Sequence, residues 1–123
     1  MSMSILVSGS RDWKDKEKIK AELEQYPGAF VIVGDCRGAD ALTVEAVDEL
    51  GGEYQSMVFY AEWDKYGKAA GPKRNNQMLD YFENKCSFPK MILIFHSELE
   101  SSKGSKHVLN SAEKRGFAVK IIQ

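Results

Sequence analysis

The chain has 123 residues, 43% of them hydrophobic and 28% charged, with a formal net charge of -1. That composition belongs to one globular domain with a single core and excludes a disordered chain. It also excludes an overall basic field of the kind that holds DNA or RNA without sequence preference, so nucleic acid is not the expected partner.

Taken in order, Ile5, Leu6 and Val7 run into Ser8-Gly9-Ser10 and predict a buried strand ending in a tight turn. Asp12 is placed to cap the next helix, whose inner face carries Ile19, Leu23 and Tyr26 until Pro27-Gly28 stops it. Residues 29–33 predict a second strand, ending at Gly34-Asp35-Cys36-Arg37-Gly38. A helix over about 39–50 turns Leu42, Val44, Ala46, Val47 and Leu50 inward and finishes at Gly51-Gly52. A third strand covers residues 54–59.

The stretch 60–78, YAEWDKYGKAAGPKRNNQM, has a composition no ordinary surface loop needs. Gly71 before Pro72 marks a helix start, because proline's missing N–H costs nothing at the first helical position. Lys73 and Arg74 then fall in the first turn, where the helix dipole disfavours cations by roughly 0.3–1 kcal/mol each. Cations placed there point to an anion held on the free amides, or else to a solvated basic turn. This helix runs to about residue 84, with Met78, Leu79 and Phe82 inward. Residues 91–95 form an almost wholly apolar strand. A Ser- and Lys-rich loop over 97–105 leads into a helix to about residue 115, with Val108, Leu109 and Ala112 inward. Gly116 breaks it, and residues 117–122 form the last strand.

Short apolar strands alternating with amphipathic helices predict an α/β fold. The expected form is a Rossmann-like three-layer α/β/α sandwich over a mainly parallel five-stranded sheet, in a single domain spanning 1–123. In such sheets ligands bind beyond the carboxyl ends of the strands. Every strand-to-helix loop here joins glycine or serine to a cation, while the acids Glu17, Glu22, Glu24, Glu45, Asp48 and Glu49 lie in helix bodies. Four such loops on one edge fit an anionic ligand carrying one or two phosphates, approached closely by glycine backbone. The dinucleotide fingerprint G-x-G-x-x-G and the Walker A pattern are both absent, which argues against a nicotinamide dehydrogenase or a P-loop NTPase.

The candidate ligand residues follow. Arg74 and Lys73 suit phosphate contact, Arg74 through its fork of donors, with Gly71 opening their helix. Asn75 is placed either to bond a ribose hydroxyl or to hold the loop. Ser8, Gly9, Ser10 and Arg11 offer a second anion contact, and Lys103, Gly104 and Ser105 a phosphate nest. Gly34 and Gly38 frame the second turn. Asp40 serves either as a favourable charge at its helix start or as a ribose or magnesium contact. Trp63 and Tyr66 either stack on a ring or anchor the loop. For acid–base chemistry the candidates are Glu45, Glu62 and Asp64, with Glu45 better explained as helix-surface charge. Cys36 and Cys86 are too few and too far apart for a disulfide framework or a zinc site, and His96 and His107 too few for a metal cluster. No cofactor is required, although magnesium fits beside Asp40. With no signal peptide and no apolar run approaching about 18 residues, the expected setting is cytoplasmic, without a membrane partner.

GSRDW (9–13), GDCRGAD (34–40), EWDKYGKAAGPKRNNQM (62–78) and SSKGSKH (101–107) occur in one order across nearly the whole chain. Together they resemble the YspA/YpsA-related proteins of the SLOG superfamily (the DUF2493 family). The resemblance implies a Rossmann-like domain that binds nucleotides, nucleotide sugars or ADP-ribose-like molecules as sensor, carrier or sequestering module, and a homodimer or higher homo-oligomer. Some branches hydrolyse N-glycosidic bonds, and others bind DNA, so hydrolysis of nucleotides and single-stranded nucleic-acid binding stand as alternatives. The phosphoribohydrolase branch places a catalytic glutamate three residues after a glycine–threonine pair. Set on Gly104-Ser105, that position holds Val108, whereas the arginine-to-methionine spacing survives as Arg74 and Met78. The resemblance therefore favours binding over that hydrolysis.

Overall fold

The apolar run Ser4–Gly9 forms β1, and Ile5, Leu6 and Val7 are completely buried. A strand apolar on both sides needs cover on both faces, which a central parallel strand receives from crossover helices. The computed structural model describes residues 3–87, 89–97 and 103–123. Along it, β1 is followed by α1 (Lys16–Leu23), β2 (Phe30–Gly34), α2 (Ala39–Leu50) and β3 (Gln55–Phe59). A single helical turn α3 (Trp63–Tyr66) and a 3-10 turn (Gly67–Ala69) lead into α4 (Ala70–Lys85), β4 (Lys90–Phe95), α5 (Lys103–Lys114) and β5 (Val119–Ile122).

All five strands are parallel, in the order β3-β2-β1-β4-β5. β1 pairs with β2 on one side, Ser4 opposite Phe30, and with β4 on the other, Ser4 opposite Lys90 and Gly9 opposite Phe95. The chain thus winds outward from β1 to β3, then crosses back to β4, and the winding direction reverses between β1 and β4. This is a Rossmann-like sheet, and the reversal opens a crevice at the carboxyl ends of those two strands.

Alternate strand residues face opposite sides. Ile5, Val7, Val31, Val33, Leu93 and Phe95 pack with Ile19 and Leu23 of α1 and Ala46 and Val47 of α2. Leu6, Ile32, Ile92 and Ile94 pack with Met78, Leu79 and Phe82 of α4 and Val108 and Ala112 of α5. Among the described residues no helix is long and apolar enough to cross a membrane.

Three local expectations are corrected. Asp15 caps α1, not Asp12: its carboxylate accepts the Lys18 N–H at 3.0 Å. Asp12 belongs to the turn instead, donating its N–H to Ser10 Oγ at 3.0 Å. Trp13 extends that turn by packing 5.6 Å from the Phe95 ring and donating its indole N–H to the Asp15 carbonyl at 2.9 Å. The helix can only begin after it. Tyr26 therefore lies beyond α1, yet still packs against the same core.

α4 begins at Ala70, ahead of Gly71 and Pro72, because the 3-10 turn feeds directly into it through Ala70 N–H to the Gly67 carbonyl. Lys73 and Arg74 consequently stand at its fourth and fifth positions, beyond the first turn and its free amides. The third correction concerns Lys103-Gly104-Ser105, which form the first turn of α5 rather than a non-helical nest. Ser101 and Ser102, named with them, lie outside the described residues.

Candidate functional site: the crevice between β1 and β4

Two close approaches shape the crevice. Gly9 ends β1 with a bare α-carbon; a Cβ there would stand 2.5 Å from the Phe95 carbonyl oxygen and 2.6 Å from the Ala39 side chain. The start of α2 therefore sits against the end of β1, held by Ala39 N–H to the Ser10 carbonyl at 2.9 Å. Gly38, with φ +76°, passes so close to the Ser10–Arg11 backbone that a Cβ would lie 2.4 Å from it. The β1 and β2 turns are locked into one surface.

Beneath that surface lies a buried polar cluster. Arg74, 6% exposed, reaches back from α4 to the β2 turn. Its Nη1 donates to Asp35 Oδ1 at 2.6 Å, its Nε to Asn75 Oδ1 at 2.9 Å, and its Nη2 points at Cys36 Sγ at 3.5 Å. Asp40 is equally buried at 6% and accepts the Cys36 N–H on Oδ2 at 3.2 Å. Gly34 makes room for both: a Cβ would fall 2.7 Å from Arg74 Nη1 and 2.8 Å from Asp40 Oδ2. Asn75 Nδ2 lies 3.5 Å from His107 Nδ1 on α5, so the cluster bridges β2, α4 and α5.

Burial pushes the Asp40 carboxyl up to about 6, outweighing the Cys36 N–H and the Arg74 charge, which favour the carboxylate, and helped by neighbouring Asp35. Burial also lowers His107, which favours the neutral imidazole. Among the described residues no group of three or more His, Cys, Asp or Glu side chains is arranged to hold a metal.

Above the cluster opens a cavity of about 900 Å³, large enough for a nucleotide-sized ligand. Its walls come from the β1 turn, the start of α4, the end of β4 and the first turn of α5. Arg11, Lys68 and Lys103 all line it, are exposed, and make no ion pair among the described residues. A second cavity of about 480 Å³ adjoins it, sharing Arg11, Cys36 and Trp63 and adding Asp35 and Arg37.

No family model matches the chain. The Gene 61 protein of Mycobacterium phage D29 is 31% identical over 124 residues, an alignment covering 94% of this chain and 92% of that protein. The chain belongs to the family of that Gene 61 protein. The relationship runs almost end to end, and the chemistry of this Gene 61 relative is read from its site.

Of the residues proposed from sequence, Ser8, Gly9, Ser10, Arg11, Asp40, Trp63, Gly71, Arg74, Asn75, Lys103, Gly104 and Ser105 line the larger cavity together. Gly34 and Gly38 do not line it; they support it from behind through the contacts above. Lys73 is also outside it, its ammonium lying 4.7 Å from the centre of the Tyr66 ring. Glu45, Glu62 and Asp64 line neither cavity; Glu45 faces outward from α2 with Lys16 3.7 Å away.

Sequence reasoning did not name Lys68, set His96 and His107 aside as too few for a metal cluster although all three line the larger cavity, and gave Asp35 too little weight. His107 follows Lys103 by four positions, a spacing that puts both on one face of a helix and was available to be used. Lys68 carries no such signal, because its direction is set by the 3-10 turn.

Proposed function

We propose that the protein binds a phosphorylated, nucleotide-derived small molecule in the larger cavity, as a sensor, carrier or sequestering module. One observation carries this: three cations that make no ion pair among the described residues, Arg11, Lys68 and Lys103, meet the first turn of α5 around a single cavity at the sheet's reversal point. The first-turn amides of a helix carry partial positive charge and accept phosphate oxygens. Arg74 plays a different part from a freely reaching phosphate ligand. Its Nε and Nη1 are committed to Asn75 and Asp35, so it presents a fixed edge at the cavity floor while the rim cations take the phosphate. The likeness of the four turns to SLOG proteins supports the same ligand class.

The test is thermal denaturation with ADP-ribose, NAD and nucleoside mono- and diphosphates. A true ligand at a hundredfold excess over Kd stabilises by about 2.7 kcal/mol, and the shift shrinks in Arg11→Ala and Lys103→Ala. No shift with any of these compounds, or a shift indifferent to both substitutions, overturns the proposal.

A second reading, hydrolysis of an N-glycosidic or phosphate-ester bond, is favoured by Asp40. It is a buried carboxyl facing the cavity and poised near 6, which suits proton transfer near neutral pH. Chromatography of nucleoside monophosphates after incubation decides it. Turnover abolished in Asp40→Asn with binding retained supports hydrolysis, and intact substrate with wild-type protein refutes it.

A further inference from the structure

The smaller cavity is not used by the phosphate reading, and its walls have a different chemistry. Trp63 is 45% exposed, yet its position is defined: the ring edge rests over Gly71, where a Cβ would come within 3.3 Å of it. The indole lines both cavities and so stands at the border between them. Arg37 lines only the smaller one; its single ion pair among the described residues is an exposed contact with Asp12 at 3.6 Å, which water and salt screen.

Asp35 supplies the polar group. Its Oδ1 accepts from Arg74 Nη1 at 2.6 Å and from the Ala61 N–H at 3.3 Å. Oδ2 has no hydrogen-bond partner among the described residues, and the side chain is 22% exposed. The cavity thus combines a flat aromatic wall, an exposed guanidinium and one acceptor without a donor among the described residues. An ionised carboxylate accepts and does not donate. It bonds an exocyclic amine and repels a carbonyl oxygen at the same place, the discrimination that Asp and Glu make for amino-bearing base edges.

We propose that this smaller cavity is a nucleobase subsite that takes an amino-bearing heterocycle, stacked on Trp63 with its exocyclic amine on Asp35 Oδ2. The inference rests on the phosphate reading, because the base reaches this subsite while its phosphate lies among Arg11, Lys68 and Lys103 in the adjoining cavity. Arg11, lining both, spans the sugar between them.

The experiment titrates the intact protein with adenosine 5′-monophosphate, inosine 5′-monophosphate and ribose 5-phosphate. Calorimetry reads affinity and tryptophan fluorescence reads stacking. Adenosine 5′-monophosphate is expected to quench fluorescence and to bind roughly tenfold or more tightly than the inosine compound. Ribose 5-phosphate binds more weakly and leaves the fluorescence unchanged. Trp63→Phe keeps most of the affinity and loses the quench, which assigns the signal to Trp63 and not to Trp13. Trp63→Ala loses roughly tenfold in affinity for the adenine nucleotide and none for ribose 5-phosphate. Asp35→Asn, whose amide oxygen still serves Arg74, closes the gap between the amino and oxo purines.

Equal affinities for the two purine nucleotides without quenching, alongside binding of ribose 5-phosphate, overturn the base subsite and leave the phosphate site standing. Failure of all three compounds to bind overturns both.

Discussion

Asp40 stands in the first turn of α2, where the helix dipole favours a carboxylate, yet its carboxyl is raised from 3.8 to about 6 because burial outweighs that help. The folded protein therefore holds this proton more tightly than the unfolded chain does. Between pH 3.8 and about 6 the stability contributed by Asp40 falls as pH rises, and above that window the loss is complete. The full effect is about 3 kcal/mol. Asp40→Asn removes it: the amide oxygen still accepts the Cys36 N–H and no charge is buried. Urea unfolding at pH 4, 5, 6 and 7 is expected to show wild type losing stability relative to Asp40→Asn across that range. Parallel curves would mean that the carboxylate is solvated after all. Gly34 makes a second demand at this scale. Gly34→Ala drives a Cβ into Arg74 and Asp40, neither of which is free to swing away, at about 1–3 kcal/mol. Gly104→Ala is the control, since no atom of the described residues lies within 4 Å of a Cβ there and alanine favours the helix by about 0.5–1 kcal/mol. Chemical denaturation of the two variants should move in opposite directions.

α1 shows at the scale of one element where sequence patterns stop being informative. Asp12 and Asp15 both precede its apolar face, and local propensity does not choose between them. The choice is made by Trp13 lying against Phe95 of β4, a contact that appears only once the sheet has assembled. Asp15→Ala should thus cost about 1 kcal/mol. Asp12→Ala, which loses a bond to exposed Arg37 at 3.6 Å, should fall within about 0.5 kcal/mol of wild type. Thermal unfolding of the two variants separates them. The strands were legible because Ile5-Leu6-Val7 and Met91–Phe95 are apolar on both sides, which only a covered parallel sheet satisfies. Their carboxyl ends then pointed to the candidate site, since glycine or serine and a cation recur in the strand-to-helix loops. α3 and the 3-10 turn were not legible, because four- and three-residue elements are too short to show a period. Arg74 was named as a candidate site residue and the structure puts it in the wall of the larger cavity, but its partners were not legible, because Asp35 is 39 positions away in sequence. Pairing at such a distance leaves no local trace.

Across the whole molecule, the net charge of -1 conceals a separation of paired from unpaired charge. On α1 and α2, Lys16 and Lys20 engage Glu45 and Glu49, and Arg115 spans Asp80 and Glu83 at 2.9 and 3.0 Å. At the crevice, Asp35 is occupied by Arg74, and Arg11, Lys68 and Lys103 face one cavity without an ion pair among the described residues, although Asp12 and the buried Asp40 also line it. The proposed phosphorylated ligand would supply an anionic partner for these three cations. Its attraction to exposed cations is screened over about 8 Å at physiological ionic strength, so affinity should fall as salt rises from low to physiological levels. Arg11→Ala and Lys103→Ala should each lower affinity roughly 10- to 100-fold, the worth of one charge-assisted hydrogen bond of about 1.5–3 kcal/mol. Each should also flatten the salt dependence, because one fewer charge is being screened. Lys16→Ala removes a cation whose partners, Glu45 and Glu49, lie on the outer face of α2, and should alter neither quantity. Calorimetric titration with the best nucleotide at two salt concentrations measures both. Equal losses for Lys16→Ala and Lys103→Ala would show that the attraction comes from net charge rather than from cations gathered at the strand ends.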